Sequence, residues 1–256
     1  MRDTRDMLLV LLSSLLMLTG CSRRDILDDY PVSGVEISLD WNGVTNKLPE
    51  GVRVIFYPKN AEGRKIDTYL SVKGGKVKVP PGRYSVVVYN YDTETVQIRG
   101  EEAYETIEAF TGHCNGLGIA GTEQLVWGPD LLYVVRIDDL KIENSEEELQ
   151  LNWKPKLVVK TYSFKLKVQG LEYVSSIVGS IEGMSSCYDL GLGCGKAGDS
   201  PIYFAARGSA GEVTGSFTVF GTSEGVISRA GNAITFPVFC NSGKSADRNR
   251  DKAWDQ

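Results

Sequence analysis

"KVKVPPGRYSVVVYNYD", residues 76–92, carries the decisive pattern. Lys76 to Val79 alternates polar and apolar with the period of two that a β-strand imposes, since successive strand side chains point to opposite faces. Pro80, Pro81 and Gly82 then break the run: proline cannot donate to a ladder, and the Pro-Gly step is turn chemistry. Behind it "YSVVVYN" is a second strand, so the segment predicts strand, turn, strand.

The same punctuation extends in both directions. Upstream lie "VEISLDW" (35–41), "GVRVIFYP" (51–58, ended by a proline) and "KIDTYLSV" (65–72), the last joined to the decisive segment by Gly74-Gly75. Downstream, "ETVQIRG" (94–100) is short, and "EAYETIEAFTG" (102–112) fits helix and strand equally well. Strong alternation returns in "LLYVVRIDDLKI" (131–142) and "ELQLNWKPKLVVKTYSFKLKVQGL" (148–171). The acidic turn Glu143–Glu148 and Lys154-Pro155 mark a hinge between two β-rich halves. In the second half, "YVSSIVGSIEGMSSCYDLGLG" leads into "PIYFAARG", "EVTGSFTVFG" and "NAITFPVF", enough for a small sandwich. The last stretch, "NSGKSADRNRDKAWDQ", has one aromatic, Trp254, and no alternation, so it supplies no core strand. With 28 glycines against 9 prolines, mostly between short apolar runs, the chain has the punctuation of an all-β protein.

Composition bounds the partners. Apolar content of 42% and charge of 24% are those of a globular chain, and a net charge of −5 leaves no basic footprint for nucleic acid.

The N-terminus has its own logic. Met7 to Leu18 is apolar but short of the roughly 20 residues a membrane-spanning helix needs, so it reads as a signal-peptide core behind Arg2 and Arg5. Leu18-Thr19-Gly20-Cys21 resembles the bacterial lipobox, in which the cysteine thiol is acylated and the peptide is cut just before it. Residues 1–20 are then a signal peptide and Cys21 the lipid-attachment site, with 21–32 a polar, acidic tether. Two or more acyl chains hold a protein stably at a membrane. Asp25, Asp28 and Asp29 resemble an acid-rich surface-export signal.

Four further cysteines remain in an exported chain, where disulfides are permitted. Cys187 and Cys194 could close a short loop worth roughly 2–3 kcal/mol; Cys114 and Cys240 have no evident pairing.

Catalytic chemistry finds few candidates. His113 is the only histidine, in a Gly-rich loop without a second metal ligand at finger spacing. Gly193-x-Gly195-x-x-Gly198 matches dinucleotide lettering but leads into a strand, not a helix, and Gly243-Lys244-Ser245 lacks the phosphate-loop glycine. Asp138 and Asp139 are strand neighbours pointing to opposite faces, and Glu146 to Glu148 are turn charge. Trp41, Trp127, Trp153 and Tyr57 could form a sugar-stacking platform, but inward-facing core positions fit them better. No catalytic residue, metal or cofactor is expected.

"PPGRY" resembles a corner common in transthyretin-like β-sandwiches. Taken together, the lipobox, "VEISLDW", "VRVIFYP", "VPPGRYSVVVYN", "KLVVK" running into "TYSFKLKVQGL", and "SIEGMSSCYDLG" resemble the FimB/Mfa2 family of Bacteroidetes fimbrial anchor lipoproteins over residues 21–240. The resemblance implies two tandem transthyretin-like, Greek-key β-sandwiches, assigned here to residues 33–153 and 154–240, with 241–256 a disordered tail. It also implies an outer-membrane anchor that attaches a fimbria and limits its length; on the cell surface, an exposed strand edge or groove would bind the first shaft subunit by strand addition. The sequence departs from the family after Val238, where members continue with another apolar strand. Either the last sandwich is incomplete or the tail reflects a truncation or frame change. The alternative function is a glycan-binding lipoprotein of a polysaccharide-uptake system.

Overall fold

The computed structural model describes residues 33–60, 63–114, 125–196, 200–221, 234–235 and 238–240. Among these the regular structure is β, apart from a single 3-10 turn at Leu171–Tyr173. In chain order the strands are β1 (Ser33–Leu39), β2 (Gly51–Pro58), β3 (Ile66–Ser71), β4 (Gly74–Val79), β5 (Gly82–Asn90), β6 (Val96–Arg99), β7 (Glu108–Thr111), β8 (Tyr133–Ile142) and β9 (Leu149–Trp153). There follow β10 (Lys156–Leu157), β11 (Lys160–Lys167), β12 (Val174–Ile181), β13 (Cys187–Asp189), β14 (Cys194–Lys196), β15 (Ile202–Ser209), β16 (Glu212–Val219), β17 (Ile234–Thr235) and β18 (Val238–Cys240). The all-β expectation is met. Residues 102–112, which fitted helix or strand, resolve into a turn followed by β7.

Eight strands form the first sheet, in the order β10-β8-β5-β2-β3-β4-β1-β9. The decisive segment supplies β4 and β5, with the Pro80-Pro81 corner between them carrying the chain from beside β1 to the middle of the sheet. There β2 and β5 are buried on both faces, which is why they read as nearly unbroken apolar runs. One face gives Val52, Val54, Phe56, Val86 and Val88 to a cluster that also holds Val35, Ile37, Val79 and, from the two ends of the strand order, Val135 and Trp153. Trp41, just past β1, lies edge-on to Tyr133 on β8 with ring centres 5.3 Å apart, so strands from near opposite ends of the order meet and the sheet rolls over on itself. Fully burying a side chain such as Phe56 contributes about 1.5–3 kcal/mol.

The β3–β4 turn is glycine-dependent. Gly74 has φ +103°, and a Cβ there would lie 2.0 Å from the Ile37 carbonyl oxygen.

The opposite face of β2 and β5 presents Ile55, Tyr57, Val87 and Tyr89 to a second cluster with Val96, Ile107 and Ala109. A four-stranded sheet, β14-β13-β7-β6, covers this face. Half of it comes from beyond residue 154: β13 pairs with β7, and Val159, Leu190 and Phe220 enter the same cluster. The third sheet runs β11-β16-β15-β12-β17, with β18 also on β12. Its core is Ile181, Met184, Ile202, Phe204, Phe217 and Val219, joined by Val126 from the first half.

Candidate functional site

Cys21, the lipid-attachment residue read from the sequence, lies outside the described residues, as do Gly198 and the Gly243-Lys244-Ser245 stretch. No helix among the described residues is long and apolar enough to cross a membrane. Cys187 and Cys194 come together on the β13–β14 hairpin as free thiols. Cys187 stands opposite Lys196 and Cys194 opposite Asp189, so the two sulfur-bearing residues are diagonal rather than facing. Burial, against a hydrogen bond with Ser186, pushes the Cys187 thiol up; Cys114, also a free thiol, is pushed up to about 11 by burial.

The other residues considered for chemistry disperse. His113 forms an isolated bridge with Val126. Asp138 accepts hydrogen bonds from Tyr104 Oη (2.6 Å) and Arg136, whereas Asp139 pairs with Arg83 and Lys59, so the adjacent carboxylates serve different partners. Glu148 pairs with Lys76. The four aromatics do not share a surface. Trp153 and Trp41 pack with the first cluster, the Trp41 indole N–H donating to the Val72 carbonyl at 2.6 Å; Tyr57 is in the second; Trp127 sits edge-on to Tyr203. Among the described residues, no three His, Cys, Asp or Glu side chains are placed to hold a metal.

Two polar clusters went unseen in the sequence, because each assembles across long chain separations. Arg53 on β2 donates to Asp67, Glu101 and Tyr89 Oη, and these bonds keep it charged. Lys196 on β14 reaches Glu108 at 2.6 Å and Asp189 at 3.2 Å, while Arg99 meets the other oxygen of Glu108. Burial would raise the Glu108 carboxyl, but hydrogen bonds from Lys196 and Arg99 hold it below its ordinary value. These clusters fasten strands to one another. A cleft of about 530 Å³ lies where β8 faces Lys154, Lys156 and the β13–β14 turn. Arg136 in this cleft is already bonded to Asp138 and to the Gly191 and Leu192 carbonyls.

What the fold leaves available is strand edge. β12, where missing closing strands would have left an edge, is partly covered: β17 pairs with Ser180 and Ile181, and β18 with Val174, Ser176 and Ile177. On the first sheet, β10 covers only Tyr133 and Val134 of the ten-residue β8. Beyond them β8 carries a bulge opposite Ser85, together with Asp138, Asp139 and Lys141, devices that discourage pairing. β11 differs: all eight residues pair in continuous register with β16, and the other side has no strand among the described residues.

Comparison with known proteins agrees with this architecture. A protein of Bacteroides ovatus named as an inferred fimbrium anchoring subunit, Fim4B, is 68% identical over 220 residues, which are 86% of this chain and 66% of that protein. The chain thus spans about two thirds of that relative's length. A crystal structure of an inferred adhesin from Bacteroides ovatus superposes with a TM-score of 0.79 at 57% identity, covering 89% of this chain and 85% of the other. The fimbrial anchor protein Mfa2 of Porphyromonas gingivalis shares the fold at a TM-score of 0.50 and 12% identity, over 85% and 81% of the two chains. The resemblance to fimbrial anchor proteins read from the sequence is therefore met by a close relative and by fold. Residues 20–205 match the family described as a domain of unknown function, DUF5119, and the chain belongs to that family.

Proposed function

We propose that this chain is a non-enzymatic outer-membrane lipoprotein that anchors, or helps to assemble, a cell-surface fimbria. The observation that carries this is the 68% identity to a relative named as a fimbrium anchoring subunit. The arrangement of residues agrees: buried polar clusters fasten strands to one another, while among the described residues strand edges such as that of β11 carry no further strand. Cys21 bears the acyl chains, residues 1–20 are removed, and 21–32 tether the β-sheets to the membrane. A shaft subunit docks by adding a strand to one of the free edges. The division into two transthyretin-like sandwiches at 153/154 belongs to this proposal, with β13 and β14 reaching back across it to cover the first.

Cells expressing a Cys21→Ala variant are the test. The variant should lose palmitate label, leave the membrane fraction and shed fimbriae into the medium; a variant that still retains fimbriae on the cell overturns the anchor.

Glycan binding is kept as a second proposal because of one feature. Tyr69 and Tyr91 are exposed and lie edge to face with ring centres 5.3 Å apart, a surface aromatic pair of the kind sugars stack on. Affinity electrophoresis against a panel of polysaccharides decides it: retardation abolished by Tyr69→Ala supports the glycan function, and unaltered migration removes it.

A further inference from the structure

The free edges differ in what they can accept. β8 is bulged and carries charges of both signs, β12 is partly covered by β17 and β18, and β9, β6 and β14 offer only five, four and three residues. β11 is eight residues long, unbulged, and mostly exposed.

Its two rows of side chains are incompletely covered in different ways. Tyr162, Phe164 and Leu166 share the face of Phe217 and Val213 on β16, over the third core cluster. Tyr162 stacks on Phe217 with ring centres 5.5 Å apart, yet stays 39% exposed. Phe164 lies across Gly215, where a Cβ would be 2.5 Å from its ring, and packs edge-on to Phe204. The apolar face thus continues to the sheet's rim and stops half-covered, as it would if one more strand belonged there. The alternate row, Thr161, Ser163, Lys165 and Lys167, is polar and exposed.

Charge selects the partner. Between Leu149 and Leu171 the chain has five lysines and no carboxylate, although its net charge is −5. Of the three lysines on β11, Lys165 meets Glu212 at 2.8 Å across the pair with β16. Lysines on an edge repel a second copy of the same edge and favour a strand with acidic side chains.

We infer that the outer edge of β11 is the docking site for an extended segment of another protein, apolar on the face continuing the Tyr162–Phe164–Leu166 row and acidic on the face beside Lys165 and Lys167. This rests on the strand-addition reading above and names its edge and its partner's chemistry.

The test uses the full chain in detergent and two short capped peptides with a photoreactive end group, one alternating valine with glutamate and the other valine with lysine. The Val–Glu peptide should cross-link to residues 160–167 and protect their amides from exchange. It should do so about tenfold better than the Val–Lys peptide, as two or three cross-strand charge pairs imply. In the double variant Lys165→Glu, Lys167→Glu, with its circular dichroism unchanged, the preference should reverse. Cross-linking to β8 or β9 instead overturns the assignment to β11 while leaving strand addition standing. Absence of cross-linking to any edge, or a preference unmoved by the double variant, also overturns it. Retention of fimbriae by cells expressing the Cys21→Ala variant would separately overturn the anchor on which it rests.

Discussion

Lys196 on β14 and Glu108 on β7 meet at 2.6 Å across a sheet whose strands come from both halves of the chain. The carboxylate is almost fully buried and shares its cation with Asp189, whose side chain is 2% exposed. Removing the ammonium leaves two buried carboxylates, Glu108 with its Arg99 pair and Asp189 with the hydrogen bond from the Leu192 N–H. Lys196→Met should therefore destabilise by about 1–2 kcal/mol in urea titrations, below the usual cost of breaking a buried pair because the lysine side chain is 40% exposed.

The same cluster sets an acid limit. Glu108 is held below its ordinary value of 4.5, so its folded form binds a proton less readily than the unfolded chain. Its contribution is fully present above about pH 4.5 and is lost as pH falls through the lowered folded value. Glu108→Gln should flatten the stability profile in that window, and denaturation midpoints at pH 3 to 6 would show it.

Gly74→Ala tests the turn that precedes the decisive strand. The residue holds φ +103°, and a methyl group would meet the Ile37 carbonyl oxygen at 2.0 Å. A loss of about 2 kcal/mol or more in melting experiments is expected, from the strained backbone and the displaced β1. By contrast, Gly43→Ala, at φ +90° with nothing within 4 Å, should cost only the backbone strain, about 1 kcal/mol.

Thiol reactivity separates the cysteines. Cys114 is buried and its pKa is pushed up to about 11, so at pH 8 roughly one molecule in a thousand carries the thiolate. Alkylation mapped by mass spectrometry should leave Cys114 unmodified in the native protein and label it after denaturation. Cys187 and Cys194 stand diagonally on their hairpin, a wider spacing than a disulfide prefers, and both should be recovered alkylated. A cross-linked 187–194 peptide lighter by two hydrogens would instead restore the loop closure expected from spacing.

Much of the fold was legible because its signals are local. Alternation in "VEISLDW" and the Pro80-Pro81 corner mark β1, β4 and β5 directly, since each reports on its own residues' faces. The turn before β7 and the four-stranded sheet were not legible: "EAYETIEAFTG" has no clean period, and β13 and β14 are three residues each. Pairing of Cys187 with Phe110 is a contact at long chain separation, to which neither segment's pattern points. The Arg53 and Glu108 clusters were hidden for the same reason. The preference of β11 was half-visible, as a run of lysines, but its exposed apolar row emerges only once β16 is placed beside it.

That interchange of strands predicts how the halves behave when separated. Leu190 is fully buried among Ile55, Val87 and Ile107, although it lies far beyond the 153/154 boundary. A fragment of residues 33–153 would lack β13, β14, Val159, Leu190 and Phe220, leaving only β6 and β7 over that face of β2 and β5 and baring the rest of it. Such a fragment should bind a hydrophobic dye and show no cooperative melt, whereas one of residues 33–221 should fold. Within the full chain, Leu190→Ala should cost about 2–5 kcal/mol and loosen both sides of the boundary together. Hydrogen exchange decides the point: faster exchange in β5 as well as in β13 is expected, because one cluster holds both, and a change confined to β13 and β14 would show the halves to be independent.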